Sequence, residues 1–142
     1  MSYEEKGVWV YLVAGVISYG VYLALVLGQA TTVPLAETDY AVPLLASIGI
    51  SIGLSIVGRI LLEIVKPSES YRSDDRDRAI DRLGDARGQW ALIAAALGAL
   101  VLALLDAPTF WIANVVYLGF VLSGILAFVA KSVMYRRGLP TW

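Results

Sequence analysis

Cysteine and histidine are both absent from the 142 residues. Their absence excludes disulfides, thiolate or histidine-assisted nucleophiles, and zinc or haem ligation through those side chains. Charge is scarce as well, at 16% of residues against 58% hydrophobic, a balance too apolar for a soluble domain of this length and suited to a helical membrane bundle. The apolar stretches are continuous rather than alternating at every second residue, which argues against a transmembrane β-barrel. Their central portions contain no Asp, so paired intramembrane carboxylates are lacking too. An enzyme is the least supported reading, and no catalytic, cofactor-binding or metal site is expected. A nucleic-acid partner is not expected either.

Four apolar runs make up most of the chain, at about residues 8–28, 40–65, 89–105 and 110–130. A hydrocarbon core of ~30 Å takes ~20 helical residues to cross, so each run reads as a transmembrane helix of a single domain. The expected fold is all-α, an up-down bundle of four membrane-spanning helices with a charged loop and helix over 66–88.

The net charge of −1 says little as a total, but its distribution is one-sided. Lys6 precedes the first run; Arg59, Lys66, Arg72, Arg76, Arg78, Arg82 and Arg87 end the second or follow it; Lys131, Arg136 and Arg137 follow the fourth. The other two connections hold Glu37, Asp39 and Asp106 and no basic residue. Basic residues are retained in the cytoplasm, so a multi-pass cell-membrane protein with both termini and the middle loop cytoplasmic is expected. Glu4 and Glu5 stand against one Lys before the first run, and that run exceeds a signal core, so a retained helix is expected rather than a cleaved leader. Trp9 and Trp90 are placed at the cytoplasmic interface, Phe110 and Trp111 at the outer one.

Polar side chains inside the runs mark the candidate sites. Tyr19 and Tyr22 in the first run and Asn114 in the fourth need partners from another helix or from a water-filled space, because lipid offers none. Arg59 and Glu63 are spaced i to i+4 on one helical face, either as a boundary ion pair reached by snorkelling or as a gate or anion site within the bundle. The Gly49 to Gly53 step in the second run, flanked by Ser47, Ser51, Ser55 and Gly58, predicts a close-packing face, in this chain or between copies of a homo-oligomer. Asp106, Ala107 and Pro108 form a turn so short that the third and fourth helices must be antiparallel neighbours. No internal repeat of the kind found in inverted-topology transporters is visible.

Lys66 to Arg72 reads as a turn-like linker. From Ser73 the sequence reads as a helix start, with Ser73 as cap and Asp74 and Asp75 at the positive end of the dipole, running without a breaker into the third span. Gly84 and Gly88 are soft points or close-packing positions along it. Opposite charges interleave as Asp74 with Arg78, Arg78 with Asp81 and Arg82 with Asp85. Asp77, Asp81 and Asp85 also recur every fourth residue, a row that would suit a hard divalent cation were each carboxylate not already beside an arginine. The segment Asp74-Asp75-Arg76-Asp77-Arg78-Ala79-Ile80-Asp81-Arg82-Leu83-Gly84 resembles the loop motif of a prokaryotic family of small predicted multi-pass membrane proteins of unknown function. In that family an Asp-Glu-Arg-Asp element, then an aliphatic residue and a glycine, precedes a transmembrane helix; here Asp75 takes the Glu position. The resemblance implies membrane placement and a role beside transcriptional regulators, and supplies no catalytic residues.

The expectation is a non-enzymatic membrane protein, in contact with membrane lipid, that assembles through small-residue faces. Through Asp74, Asp77, Arg78, Asp81, Arg82 and Asp85 it would dock a cytoplasmic protein. The alternative is a subunit of a small oligomeric transporter or channel that uses Arg59 and Glu63.

Overall fold

A computed structural model of the chain describes residues 3–68 and 74–140. Four long helices, α1 (Tyr3–Gln29), α2 (Ala41–Val65), α3 (Asp75–Leu104) and α4 (Thr109–Arg137), are each long and apolar enough to cross a membrane. They alternate in direction. Lys6 of α1 meets Glu63 near the end of α2, Tyr22 meets Asn114 near the start of α4, and Asp77 of α3 meets Tyr135 near the end of α4.

The helices pack in the order α2, α1, α4, α3, with α1 and α4 central and the most extensive contact between α3 and α4. Buried positions on α1 run as a ridge at every fourth residue, Val10, Ala14, Ser18, Tyr22 and Val26, the spacing that lets one helix lie in a neighbour's groove. By contrast, Ser47 is the sole buried residue on α2. Its outward apolar side chains need no protein cover if they face lipid.

Close approach of α3 and α4 is set by glycine. A Cβ at Gly119 would stand less than 3.0 Å from the Ala95 methyl, and one at Gly88 equally close to the Ser123 carbonyl oxygen, so only hydrogen fits at either place. Within the chain the closest helix approach is therefore here; of the small residues on α2, Gly58 packs on Val10 of α1, whereas a Cβ at Gly49 or Gly53 would meet nothing outside its own helix within 4 Å.

The α3–α4 turn has a Schellman closure: the Ala107 amide donates to Leu102 and the Asp106 amide to Ala103, with Asp106 left-handed at φ 52°. Aspartate tolerates that conformation better than most residues. Between α1 and α2, the Gln29 carboxamide brackets Asp39, donating to its carbonyl at 2.9 Å and accepting from its amide at 2.8 Å. A 3-10 turn at Leu35–Glu37 lies in the same connection. Phe110, in the first turn of α4, joins Tyr22 and Val26 in the buried cluster at this end, 4% exposed.

At ~1.5 Å per residue, the 30 residues of α3 measure ~45 Å, about 15 Å more than a hydrocarbon core. The predicted extension of the third span is thus present. It is not solitary: α4 continues past residue 130 to Arg137 and lies alongside it, so the charged end is a helical hairpin. Asp74 caps α3, accepting from the Asp77 amide at 2.7 Å while the Asp77 carboxylate accepts from the Asp74 amide. That places the cap one residue after Ser73, which lies outside the described residues.

Candidate functional site

Three polar clusters arise from the residues singled out above. The first joins the helices near the end that bears Glu37 and Asp106. The Tyr22 hydroxyl, on a side chain fully buried, donates to Asn114 Oδ1 at 2.6 Å, and Asn114 Nδ2 donates to its own helix at the Phe110 carbonyl. Tyr19 packs against Tyr22 and edge-on to Tyr117 at 5.4 Å, and Tyr117 shares a 2.6 Å hydrogen bond with Ser47 of α2. Every hydroxyl here except that of Tyr19 is matched to a named neighbour on another helix, as lipid requires. The sequence flagged Tyr19, Tyr22 and Asn114; it gave no sign that Tyr117 and Ser47 complete the set.

Arg59 and Glu63 share a helical face, but each turns to α1 rather than to the other. The Arg59 guanidinium lies 4.2 Å from the centre of the Tyr3 ring and donates to the Tyr11 hydroxyl at 3.0 Å, while its buried Nε has no hydrogen-bond partner. Stacking on an aromatic face suits a delocalised cation held away from bulk water. Glu63 accepts from the Ser68 hydroxyl at 2.9 Å and lies 3.5 Å from Lys6 Nζ, and Lys6 also donates to Ser68 and to the Lys66 carbonyl. Lys6 is only 6% exposed, so this is a buried and well-partnered ammonium. The crevice that Arg59 and Glu63 share with Tyr3, Lys6, Gly7, Val10 and Leu62 is too small for a water molecule. What they form is a clamp between the start of α1 and the end of α2.

On the charged hairpin the predicted carboxylate row does exist, but it faces α4. Lys131 Nζ lies 2.9 Å from Asp81 and 2.8 Å from Asp85, and the Tyr135 hydroxyl donates to Asp77 at 3.1 Å. Among the described residues no group of three metal-binding side chains is assembled. None of the three interleaved pairs expected within α3 forms among the described residues; Arg78 instead lies 3.7 Å from Asp75. Tertiary partners win because Lys131 is only 14% exposed at the helix contact, where one ammonium serves two carboxylates in a medium less screening than water.

Of the six residues expected to dock a partner, Asp77 is buried and Asp81 half-buried, whereas Asp74, Arg78, Arg82 and Asp85 remain exposed. Lys131 was missed as their partner, although a signal for it existed. Equal distances counted outward from the turn at residues 105–108 set Lys131 opposite the Asp81 to Asp85 stretch.

No model of a protein family, no curated protein and no solved structure matches this chain.

Proposed function

We propose that this chain is a non-enzymatic integral membrane protein of the cell membrane that assembles through small-residue helix faces and presents a charged cytoplasmic helix for docking a soluble partner. The observation that carries the reading is the inward turn of the Asp77, Asp81 and Asp85 row onto α4. That turn holds the extension rigid and leaves Arg78 and Arg82, one helical turn apart, on its exposed face, with Arg76 and Arg87 also exposed. Asp75 and Asp85 are exposed beside these arginines, so the extension is a mixed-charge surface on a pre-ordered helix, which loses little backbone freedom on binding a complementary charged patch. Assembly between copies is supported by Gly49 and Gly53, which sit one turn apart with nothing of this chain against them. Use as a transporter subunit would need a path opened at Arg59 and Glu63, which are closely packed.

The test is co-purification of the full-length tagged protein from its native membrane at rising salt, beside the Arg78→Glu/Arg82→Glu variant. A partner released by salt and lost from the variant at unchanged expression is the expected outcome. Recovery of nothing salt-sensitive removes the basis of the reading.

A further inference from the structure

A slot of about 570 Å³ runs between α1 and α4. Gly15 of α1 and Gly124 of α4 line it, and nothing lies within 4 Å of where a Cβ would stand on either. Asp85 and Lys131 stand at one end; Tyr117 of α4 and Ile48 of α2 stand at the other. Most of its polar groups are engaged elsewhere: the Ser18 hydroxyl donates back to the Ala14 carbonyl at 2.7 Å, that of Tyr117 is tied to Ser47 and that of Tyr11 accepts from Arg59, which leaves Ser51 of α2 as the one hydroxyl on its wall with no hydrogen bond among the described residues. Water occupies ~30 Å³ a molecule and needs two or more polar partners, so a space this large and this apolar takes hydrocarbon.

Two kinds of hydrocarbon are at hand, a helix from a second copy or a lipid chain. The Ser47 to Tyr117 bond bridges α2 to α4 at the inner end of the slot, across the path that a spanning helix would follow. From Tyr117 to Lys131 along α4 is ~21 Å, which falls short of the ~30 Å core but exceeds one leaflet of it. That is the reach of one acyl chain entering from the charged end. The mouth also has charge of both signs. Lys131 lies 2.8 Å from the Asp85 carboxylate, whose side chain is 69% exposed, and also holds Asp81, which stands outside the lining of the slot. Beside it Trp9 of α1 meets Phe128 of α4 edge-on at 4.7 Å, an aromatic pair at the depth where headgroups begin.

We propose that the slot holds one acyl chain of a phospholipid whose headgroup carries a primary amine, with the ammonium on Asp85 and the phosphate against Lys131. A mouth that offers one exposed carboxylate beside one ammonium matches a headgroup carrying both signs and gives an anionic headgroup no partner for the carboxylate. A quaternary ammonium, which has no N–H to donate, pairs less well with a carboxylate than a primary one.

Native mass spectrometry of the full-length protein in mild detergent tests this with phosphatidylethanolamine, phosphatidylcholine and phosphatidylglycerol of identical chains. One phosphatidylethanolamine retained per chain, at least about tenfold over the other two, is expected (~1.4 kcal/mol). Gly124→Leu and Gly15→Leu each fill the slot and abolish the adduct without lowering the melting temperature. Asp85→Asn keeps a lipid bound but erases the preference for the amine. Equal retention of all three headgroups by the wild type overturns the proposal. So does an adduct that survives both leucine variants, or a dimer that Gly124→Leu dissociates, since the occupant would then be a second copy.

Discussion

Replacing Gly119 with alanine adds one methyl group where α3 and α4 approach closely. The new carbon would lie under 3.0 Å from the Ala95 methyl, where ordinary contact begins at 3.4 Å, with Leu92 and the Ala91 carbonyl close behind. Neither helix backbone can yield locally, so the pair must part by roughly one ångström, a gap that forfeits up to about half of the dispersion well for atom pairs along the seam. Overpacking of this kind costs ~1–3 kcal/mol. The usual gain of ~1 kcal/mol from glycine to alanine is small here, because a span separated from its partners in lipid is still helical. Gly49→Ala makes the same chemical change on α2, where nothing lies within 4 Å. Denaturation of both variants in mixed micelles, at a dilution where the protein is monomeric, followed by circular dichroism, should therefore show Gly119→Ala destabilised by ~1–3 kcal/mol and Gly49→Ala unchanged within ~0.5 kcal/mol. Equal losses in the two would refute the placement of the closest helix approach between α3 and α4. A neutral Gly119→Ala would refute it too.

Two further outcomes follow from the same geometry. Tyr22→Phe and Asn114→Ala each leave one polar group unmatched inside the bundle, and a double-mutant cycle on unfolding free energy should return a coupling of ~0.6–1.7 kcal/mol, whereas zero coupling would mean that their 2.6 Å hydrogen bond contributes nothing to stability. Because the chain has no native cysteine, Glu37→Cys and Arg78→Cys give clean single labels: a membrane-impermeant maleimide should reach them from opposite sides, and labelling of both from one side would overturn the four crossings.

Helix number, order and alternation were legible because lipid imposes one dominant requirement, an apolar length matched to the bilayer, and that requirement is written residue by residue. The short turn at Asp106 to Pro108 likewise fixed the α3–α4 pairing. Which small residues pack was not legible. Gly49 and Gly53 carry the same four-residue step as Gly84 and Gly88 on α3 or Gly119 and Ser123 on α4, and the pattern alone cannot tell a face turned toward a neighbouring helix from one turned away. The charged segment misled in a related way. Spacing within a helix shows that Arg78 and Arg82 can reach their own carboxylates, but a lysine on a neighbouring helix with less freedom to lose competes better for them, and Lys131 lies fifty residues from Asp81 in the sequence. Arg59 and Glu63 were recognised as out of place in an apolar run, yet the partners that explain them, Tyr3, Tyr11 and Lys6, are on α1 and precede or open the first apolar stretch.

These polar contacts also explain how an edge helix with so little buried surface keeps its place. In water α2 would be held by apolar burial, but in lipid its isoleucines and leucines are as well solvated apart from α1 as against it, so burial supplies little drive. Directional bonds at the two ends do this work. Near the charged end, Arg59 with Tyr3 and Tyr11, and Glu63 with Lys6 and Ser68, anchor α2 to the start of α1; near the other end, Ser47 anchors it to Tyr117 of α4. Between those anchors the α2 face bearing Gly49 and Gly53 meets nothing in the chain. A helix fixed at both ends and open along its middle can accept a neighbouring helix without giving up any bond that holds it. The same anchors make Arg59 and Glu63 costly to recruit for transport, since moving either would release the contacts that keep α2 in the bundle.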